Sequence, residues 1–302
     1  MKKHIIAVAL SLCMLLPLTV PALADGNVRL VGVNLYVDGQ LEVEYTYDYD
    51  NGALPVSGRM HQLNIQTIEV GGQIFHLSQP DTEWVYIYDD QGRLICSEST
   101  IMESGNAHIY RWAYDEDGRL VRDEWEYTAD RYEGSGTNYI YDEAGHLVMD
   151  TSEDGYGIIQ YVDEYDCDEE GCVTSRRLYF VTDWDDVGEP TVWGPEPVSE
   201  DQYAYDEDGR IAGMVRLYGG DIMEEIAYAY EDDPYFTVQY CDTHDYLNDT
   251  EGSSVSFIIR DAADRDVLTF SLPGAPELTR DEAGYIVKAE SENRVMEFIY
   301  EE

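Results

Sequence analysis

A short phrase recurs along this chain: tyrosine, aspartate, two mostly acidic residues, glycine, then usually a basic and an aliphatic residue. It reads YDDQGRL from Tyr88 to Leu94, YDEDGRL from Tyr114 to Leu120, YDEAGHL from Tyr141 to Leu147 and YDEDGRI from Tyr205 to Ile211. A longer copy, YDCDEEGCV, runs from Tyr165 to Val173, and a degraded one, RDEAGYI, from Arg280 to Ile286. A unit this short cannot bury its own apolar face, so recurrence at this spacing predicts a stacked array in which each unit packs on its neighbours.

The phrase has a mechanical meaning. A short hairpin loop needs a residue with positive φ where the strands reverse, which assigns Gly92, Gly118, Gly145, Gly171 and Gly209 to turns. The aspartate before each glycine can accept the following backbone amides and close the turn. Arg93, Arg119 and Arg210 follow the glycines, and as exposed partners of these aspartates they are expected to contribute about 0 to 1 kcal/mol each, tuning turns without holding the fold. Ahead of each turn the sequence alternates with period two: Trp84, Tyr86 and Tyr88 share one side of a strand, as do Tyr110, Trp112 and Tyr114 in the next unit. Aromatic residues at this period mark half-buried strands, and no stretch shows a convincing helical period. The expected fold is all-β, an antiparallel meander of consecutive hairpins with little helix.

Four segments follow. Residues 1–24 combine Lys2 and Lys3, an apolar run and Ala22-Leu23-Ala24, the pattern of a signal peptide cleaved before Asp25. Residues 25–80 supply hairpins of their own and are read as an N-terminal cap; 81–240 form the array; 241–302 alternate again and are read as a segment closing it. End pieces of this kind protect sheet edges. Within the array, residues 182–200 read as an insertion, a loop broken by Pro190, Pro195 and Pro197 that is unsuited to a central strand.

The charge narrows the partners. With 63 Asp and Glu against 18 Lys and Arg, the formal net charge is −45. Such a field repels phosphate backbones and anionic lipid, so nucleic acid and membrane insertion are excluded as expectations, leaving cations, basic proteins and neutral polymers. Asp166, Asp168, Glu170 and Gly171 imitate the start of a calcium loop, but Arg177 stands where its bidentate glutamate belongs. No metal site or cofactor is therefore assigned, and only weak, nonspecific Ca2+ binding is left open by the charge. Cys96, Cys167, Cys172 and Cys241 follow the leader, an even number that permits disulfides in an exported protein. Cys167 and Cys172 flank the longer turn copy, where a disulfide is expected; zinc is the competing reading, without a second ligand pair nearby to complete it.

YDEDGRL and YDEAGHL resemble the YD repeats of the rearrangement-hotspot and teneurin-type proteins, over roughly residues 84–240 with a remnant at 280–302. The resemblance implies a strand-rich, secreted or surface-associated protein built from hairpins. This chain holds too few repeats to enclose a toxin domain, so only the hairpin architecture carries over.

Catalytic signatures are missing from the sequence: there is no nucleophile elbow, no H-E-x-x-H and no phosphate-cradling glycine loop. No catalytic residue is assigned. Expected instead is a non-enzymatic, extracellular or cell-surface binding or scaffold module for a glycan or a protein. Trp84, Tyr86, Trp112 and Tyr114 form a candidate ligand face, with Trp184 and Trp193 of the insertion at its rim. The alternative is a glycoside hydrolase using paired carboxylates, a signal lost among so many acids.

Overall fold

The computed structural model describes residues 28–301 except 51, 64–66, 71–72, 77–79, 185–189 and 234. The signal peptide expected at residues 1–24 lies outside the described residues. All regular structure among them is β. The chain begins with β1 (Arg29–Val37), β2 (Gln40–Asp48) and β3 (Ser57–Gln62), then sets aside a two-stranded ribbon, β4 (Thr67–Val70) and β5 (Gln73–His76). The array follows as β6 (Thr82–Tyr88), β7 (Leu94–Ile101), β8 (Ala107–Tyr114), β9 (Leu120–Tyr127), β10 (Asp130–Tyr141), β11 (Leu147–Asp154), β12 (Ile159–Cys167) and β13 (Val173–Trp184). Next come β14 (Pro190–Trp193), β15 (Ser199–Tyr205), β16 (Ile211–Tyr218), β17 (Asp221–Asp232) and β18 (Thr237–Asp245). The chain ends with β19 (Thr250–Arg260), β20 (Asp266–Pro273), β21 (Glu277–Arg280), β22 (Ile286–Ser291) and β23 (Arg294–Glu301).

Apart from the ribbon, these strands make one antiparallel sheet of 21 strands. Neighbours in sequence are neighbours in space from β6 to β13 and from β15 to β20. On the other side β6 pairs β3, β3 pairs β2, β2 pairs β1, and β1 pairs β23 rather than another N-terminal strand. From β23 the ladder continues to β22 and β21. The two edges of the meander, β20 and β21, are consecutive in sequence yet no ladder joins them among the described residues, so the sheet bends round without closing.

Side-chain parity shows how it bends. Residues directly opposite in an antiparallel pair share a face. Followed strand by strand, the face of Tyr86 leads one way to Tyr47, Val33 and Phe298, and the other way, through β7 to β19, to Ser254, Ser256 and Ser271. The main core, however, joins Tyr47, Tyr86 and Phe298 to Val255, Phe257, Phe270 and Leu272, which lie on the opposite face of β19 and β20. The sheet therefore overlaps itself like a scroll: its inner end turns an outward face onto the inward face of its outer end. Aromatic edges fill the overlap, with Phe257 against Phe298 at 5.0 Å between ring centroids and Phe270 against Tyr45 at 5.7 Å.

The turns explain the repeat phrase. In the Asp115 turn, Oδ1 accepts the amides of Asp117 and Arg119 at 2.9 Å each, while Gly118 at φ +86° donates to the Asp115 carbonyl at 3.1 Å. Gly92, Gly145, Gly171 and Gly209 occupy the same place with φ from +78° to +91°. The arginines do more than tune their own turns. The Arg93, Arg119 and Arg210 guanidinium groups lie 4.4, 5.2 and 4.7 Å from the ring centroids of Tyr114, Tyr141 and Tyr230 in the following hairpin. Those tyrosine hydroxyls donate back to the carbonyls of Leu94, Leu120 and Ile211 at 3.1, 2.8 and 2.9 Å. Tyrosine and arginine thus couple successive hairpins, and only the aspartate and glycine are local.

Three expectations change. The copy near Tyr165 is not enlarged: Asp168 accepts the Glu170 and Cys172 amides at 3.0 and 2.9 Å, so the turn has ordinary length, with Cys167 in the tyrosine position and Cys172 in the basic one. Cys167 donates its thiol to the Leu147 carbonyl at 3.4 Å, as a repeat tyrosine would, and faces Val173 across the ladder. No disulfide joins Cys167 and Cys172, because the loop that was to bring them face to face does not exist. Asp168, read as part of a calcium-like loop, closes this turn, and Asp166 pairs with Arg177 at 2.5 Å. Two further turns of the same construction, at Asp154 and Asp261, lack the preceding tyrosine; in the second, Asp264 takes the positive φ. Finally, the insertion contributes a strand, because Pro190 opens β14, a position that needs no ladder donor, and β14 pairs with the far half of β13.

Candidate functional site

The inward face of the array carries the expected aromatic columns, and the scroll divides them. Tyr86 is buried at 8% exposure, and Trp84, half-buried in the interlayer core, stacks on Tyr45. Trp112 and Tyr114 are half-buried beneath Arg265, whose guanidinium lies 5.4 Å from each ring centroid. The hairpin of β19 and β20 thus covers these four rings, so they form no open ligand face. Trp193 packs on the small cluster of Ile159, Val162 and Val181, away from that face. Trp184 belongs to β13 by its backbone, and its side chain lies outside what is described.

Beside the covered stretch the same face carries further rings, of which Tyr110 is exposed and His108, Trp125 and Tyr127 are half-buried. Tyr110 pairs with Trp125 across β8 and β9, and His108 with Tyr127. The His108 and Tyr127 rings stack at 4.5 Å and 18°, and Tyr110 stacks along its strand on Trp112 at 6.3 Å and 14°. Tyr110 is 41% exposed. The next strands put polar groups on this face: Asp123, Thr137 and Ser152 share one register line, with the Thr137 and Ser152 hydroxyls 3.5 Å apart. The result is a flat aromatic platform edged by hydroxyl and carboxylate groups. Period-two alternation assigns all these rings to one face, but only the landing place of β19 and β20 separates open from covered.

Further round the scroll the inward face becomes an ionic belt. Tyr139 donates to Asp123 at 2.7 Å and Tyr165 to Asp150 at 2.6 Å. Arg176 grips Asp163 with two bonds of 2.9 Å, and Arg216 grips Asp201 at 2.8 and 3.3 Å while reaching Glu224 at 3.1 Å. Asp150, Asp163 and Asp201 are 4%, 2% and 4% exposed, which planar arginine forks make tolerable for Asp163 and Asp201.

Asp150 is the weak link of this belt. It faces Asp163 across the ladder, and its Oδ1 is buried without a hydrogen-bond partner. Burial, reinforced by the Asp163 charge against the opposing pull of the Tyr165 hydroxyl and Arg176, pushes its pKa up to about 6. A carboxyl raised in the folded state makes the protein lose stability as pH rises from the unfolded value near 3.8 through the folded one. Asp150→Asn keeps an acceptor for Tyr165 and removes the charge. The variant should match the wild type near pH 4 and exceed it by about 3 kcal/mol above pH 7, read by urea unfolding across that range. Equal stability at pH 8 would refute the assignment.

No known protein family's profile matches the chain, and no curated protein matches its sequence. Among solved structures it is similar to a porin-like protein from Bacteroides uniformis at 12% identity and a TM-score of 0.38, over 90% of this chain and 96% of that one. It is also similar to a chain of a TcdB2-TccC3-Cdc42 structure at 12% identity and a TM-score of 0.27, over 83% of this chain and 14% of that one. A third likeness is to a Photorhabdus luminescens Tc holotoxin pore at 10% identity and a TM-score of 0.18, over 84% of this chain and 20% of that one. Likenesses of this strength lend the chain neither a function nor a partner.

Proposed function

We propose that this chain is an exported, non-enzymatic binding module of the YD-repeat kind whose inward aromatic platform takes a neutral glycan. The observation that carries this reading is the block of His108, Tyr110, Trp125 and Tyr127 on the inward face, with Tyr110 exposed and the other three half-buried, next to Asp123, Thr137 and Ser152. Flat rings accept the apolar face of a sugar, and the neighbouring hydroxyl and carboxylate groups suit its hydroxyls. A net charge of −45 disfavours anionic polymers, which leaves neutral ones. Hydrolysis draws no support from the buried acids, since Asp163 and Asp201 are held in arginine pairs away from solvent.

The test is a glycan array probed with the wild type, Tyr110→Ala and Trp125→Ala, with Val85→Ala on the outward face as control. A neutral glycan bound by the wild type and control but lost in both platform variants is the expected result. Binding indifferent to both substitutions would overturn the site; cleavage of an arrayed glycan would overturn the non-enzymatic reading; and no glycan binding at all would transfer the function to a protein partner.

A further inference from the structure

A separate feature lies between the two layers of the scroll, independent of the aromatic platform. On the outer layer Met296, Leu35, Tyr45, Tyr47, Trp84 and Tyr86 share the inward face of β23, β1, β2 and β6. β20 passes over them, yet the layers do not meet everywhere, and a cavity of about 280 Å3 remains between them. β20 lines it with five consecutive residues, Val267 to Ser271, so the cavity runs along the backbone of this strand. β19 is the sole ladder partner of β20 among the described residues, and alternate N–H and C=O groups on its other edge have no ladder to join. Exposed Thr269 and Ser271 stand at the mouth, with buried Phe270 and Met296 further in.

The polar groups of this cavity have no partner within the protein. Tyr47 and Tyr86 are 6% and 8% exposed, Tyr45 is half-buried beside them, and none of the three hydroxyls hydrogen-bonds to a described residue. The indole N–H of Trp84, whose ring stacks on Tyr45, has no such partner either. Elsewhere in the hairpins Tyr88, Tyr114, Tyr141 and Tyr230 each donate to a backbone carbonyl. A buried hydroxyl left unpaired is costly, and burial raises the pKa of Tyr47 and Tyr86, which keeps both phenols neutral and able to donate. Four such groups along one cavity point to a guest that brings the missing acceptor.

The lining defines that guest. Aromatic rings together with Leu35, Val267 and Leu268 enclose most of the space, which suits a flat apolar body. A cavity of about 150 Å3 already holds benzene, so this one admits a single substituted ring and not a polymer. No charged residue lines it, and the chain carries a net charge of −45, which disfavours a carboxylate guest. The phenol and indole donors call for oxygen on the ring or its substituent. We propose that this cavity binds neutral, single-ring aromatic compounds bearing a hydroxyl or carbonyl oxygen, the phenol and aryl-ketone class.

Calorimetric titration with p-cresol at pH 7, where its phenol is un-ionised, tests it. The wild type is expected to bind saturably at one site, and to bind toluene, which lacks the oxygen, and the anion 4-hydroxybenzoate about fivefold or more weakly. Tyr47→Phe and Tyr86→Phe remove a hydroxyl and keep the shape. Each should lower p-cresol affinity about fivefold and leave the melting temperature unchanged, because no bond within the protein is lost. Leu35→Trp fills the cavity from its half-buried wall and should abolish binding, which places p-cresol here and not on the platform; a thermal melt confirms its fold. Absence of saturable binding, equal affinity for toluene, full affinity in both tyrosine variants, or undiminished binding in Leu35→Trp would each overturn the proposal. So would a lowered melting temperature in both Tyr47→Phe and Tyr86→Phe, since the hydroxyls would then already have partners in the folded chain.

Discussion

Phe257→Ala is expected to lower the free energy of unfolding by about 3 to 5 kcal/mol, read from the shift of the urea midpoint at constant slope. Phe257 has no exposed surface and sits where the two layers of the scroll meet, with Phe236 and Phe298 at 5.9 and 5.0 Å. Its removal takes away transfer energy and leaves a cavity that neither layer can collapse into, because each is held by its own ladders. Val85→Ala, at a residue 49% exposed on the outward side, should change stability by less than about 0.5 kcal/mol. A loss at Phe257 no greater than that at Val85 would show that the layers do not pack on each other in solution. The same variant should raise the solvent exposure of Tyr86 and Trp112, since the hairpin that covers them is seated through this contact.

The second large effect is expected at Asp261. Its carboxylate is 3% exposed and accepts three backbone amides: Ala263 at 2.8 Å and Arg265 at 2.9 Å within its own turn, and Leu94 at 2.5 Å in the array. Asp261→Ala leaves all three donors without their acceptor, the Leu94 amide in a buried site and the other two in partly buried ones, which costs about 3 to 5 kcal/mol by the usual values for bonds to a charged partner. Hydrogen exchange separates this from a simple turn defect. The Leu94 amide should lose protection in Asp261→Ala and keep it in Asp115→Ala, where the carboxylate serves only its own turn. Retained protection at Leu94 would sink the claim that Asp261 ties the inner hairpin to the array.

Much of the hairpin architecture was legible in residue order because its causes are local. Glycine at positive φ, aspartate accepting the amides two and four residues on, and period-two aromatics are each decided within a few residues of chain. Where the phrase was degraded the reading failed in an instructive way. Tyr165 was taken for the repeat tyrosine, yet Cys167 holds that position, since spacing to the glycine sets the turn and Tyr165 points instead to Asp150. The turns at Asp154 and Asp261 went unseen because neither follows a tyrosine, and in the second an aspartate replaces the glycine. Alternation placed Trp84, Tyr86, Trp112 and Tyr114 on one side of the sheet, and it could not show that these four rings lie under the inner layer.

The sequence alone determined an antiparallel array and the places where it reverses, because those depend on backbone sterics and side-chain bonds spanning a few residues. Tertiary structure alone decided that β1 pairs with β23, that β19 and β20 turn their apolar face onto the outer layer, and that Tyr110 stays exposed while Tyr86 is buried. The physical reason is that alternation specifies which residues share a face but not what that face will meet. In a sheet that bends round on itself, burial is settled by which apolar edge reaches which, and that is a property of accumulated twist over the whole array.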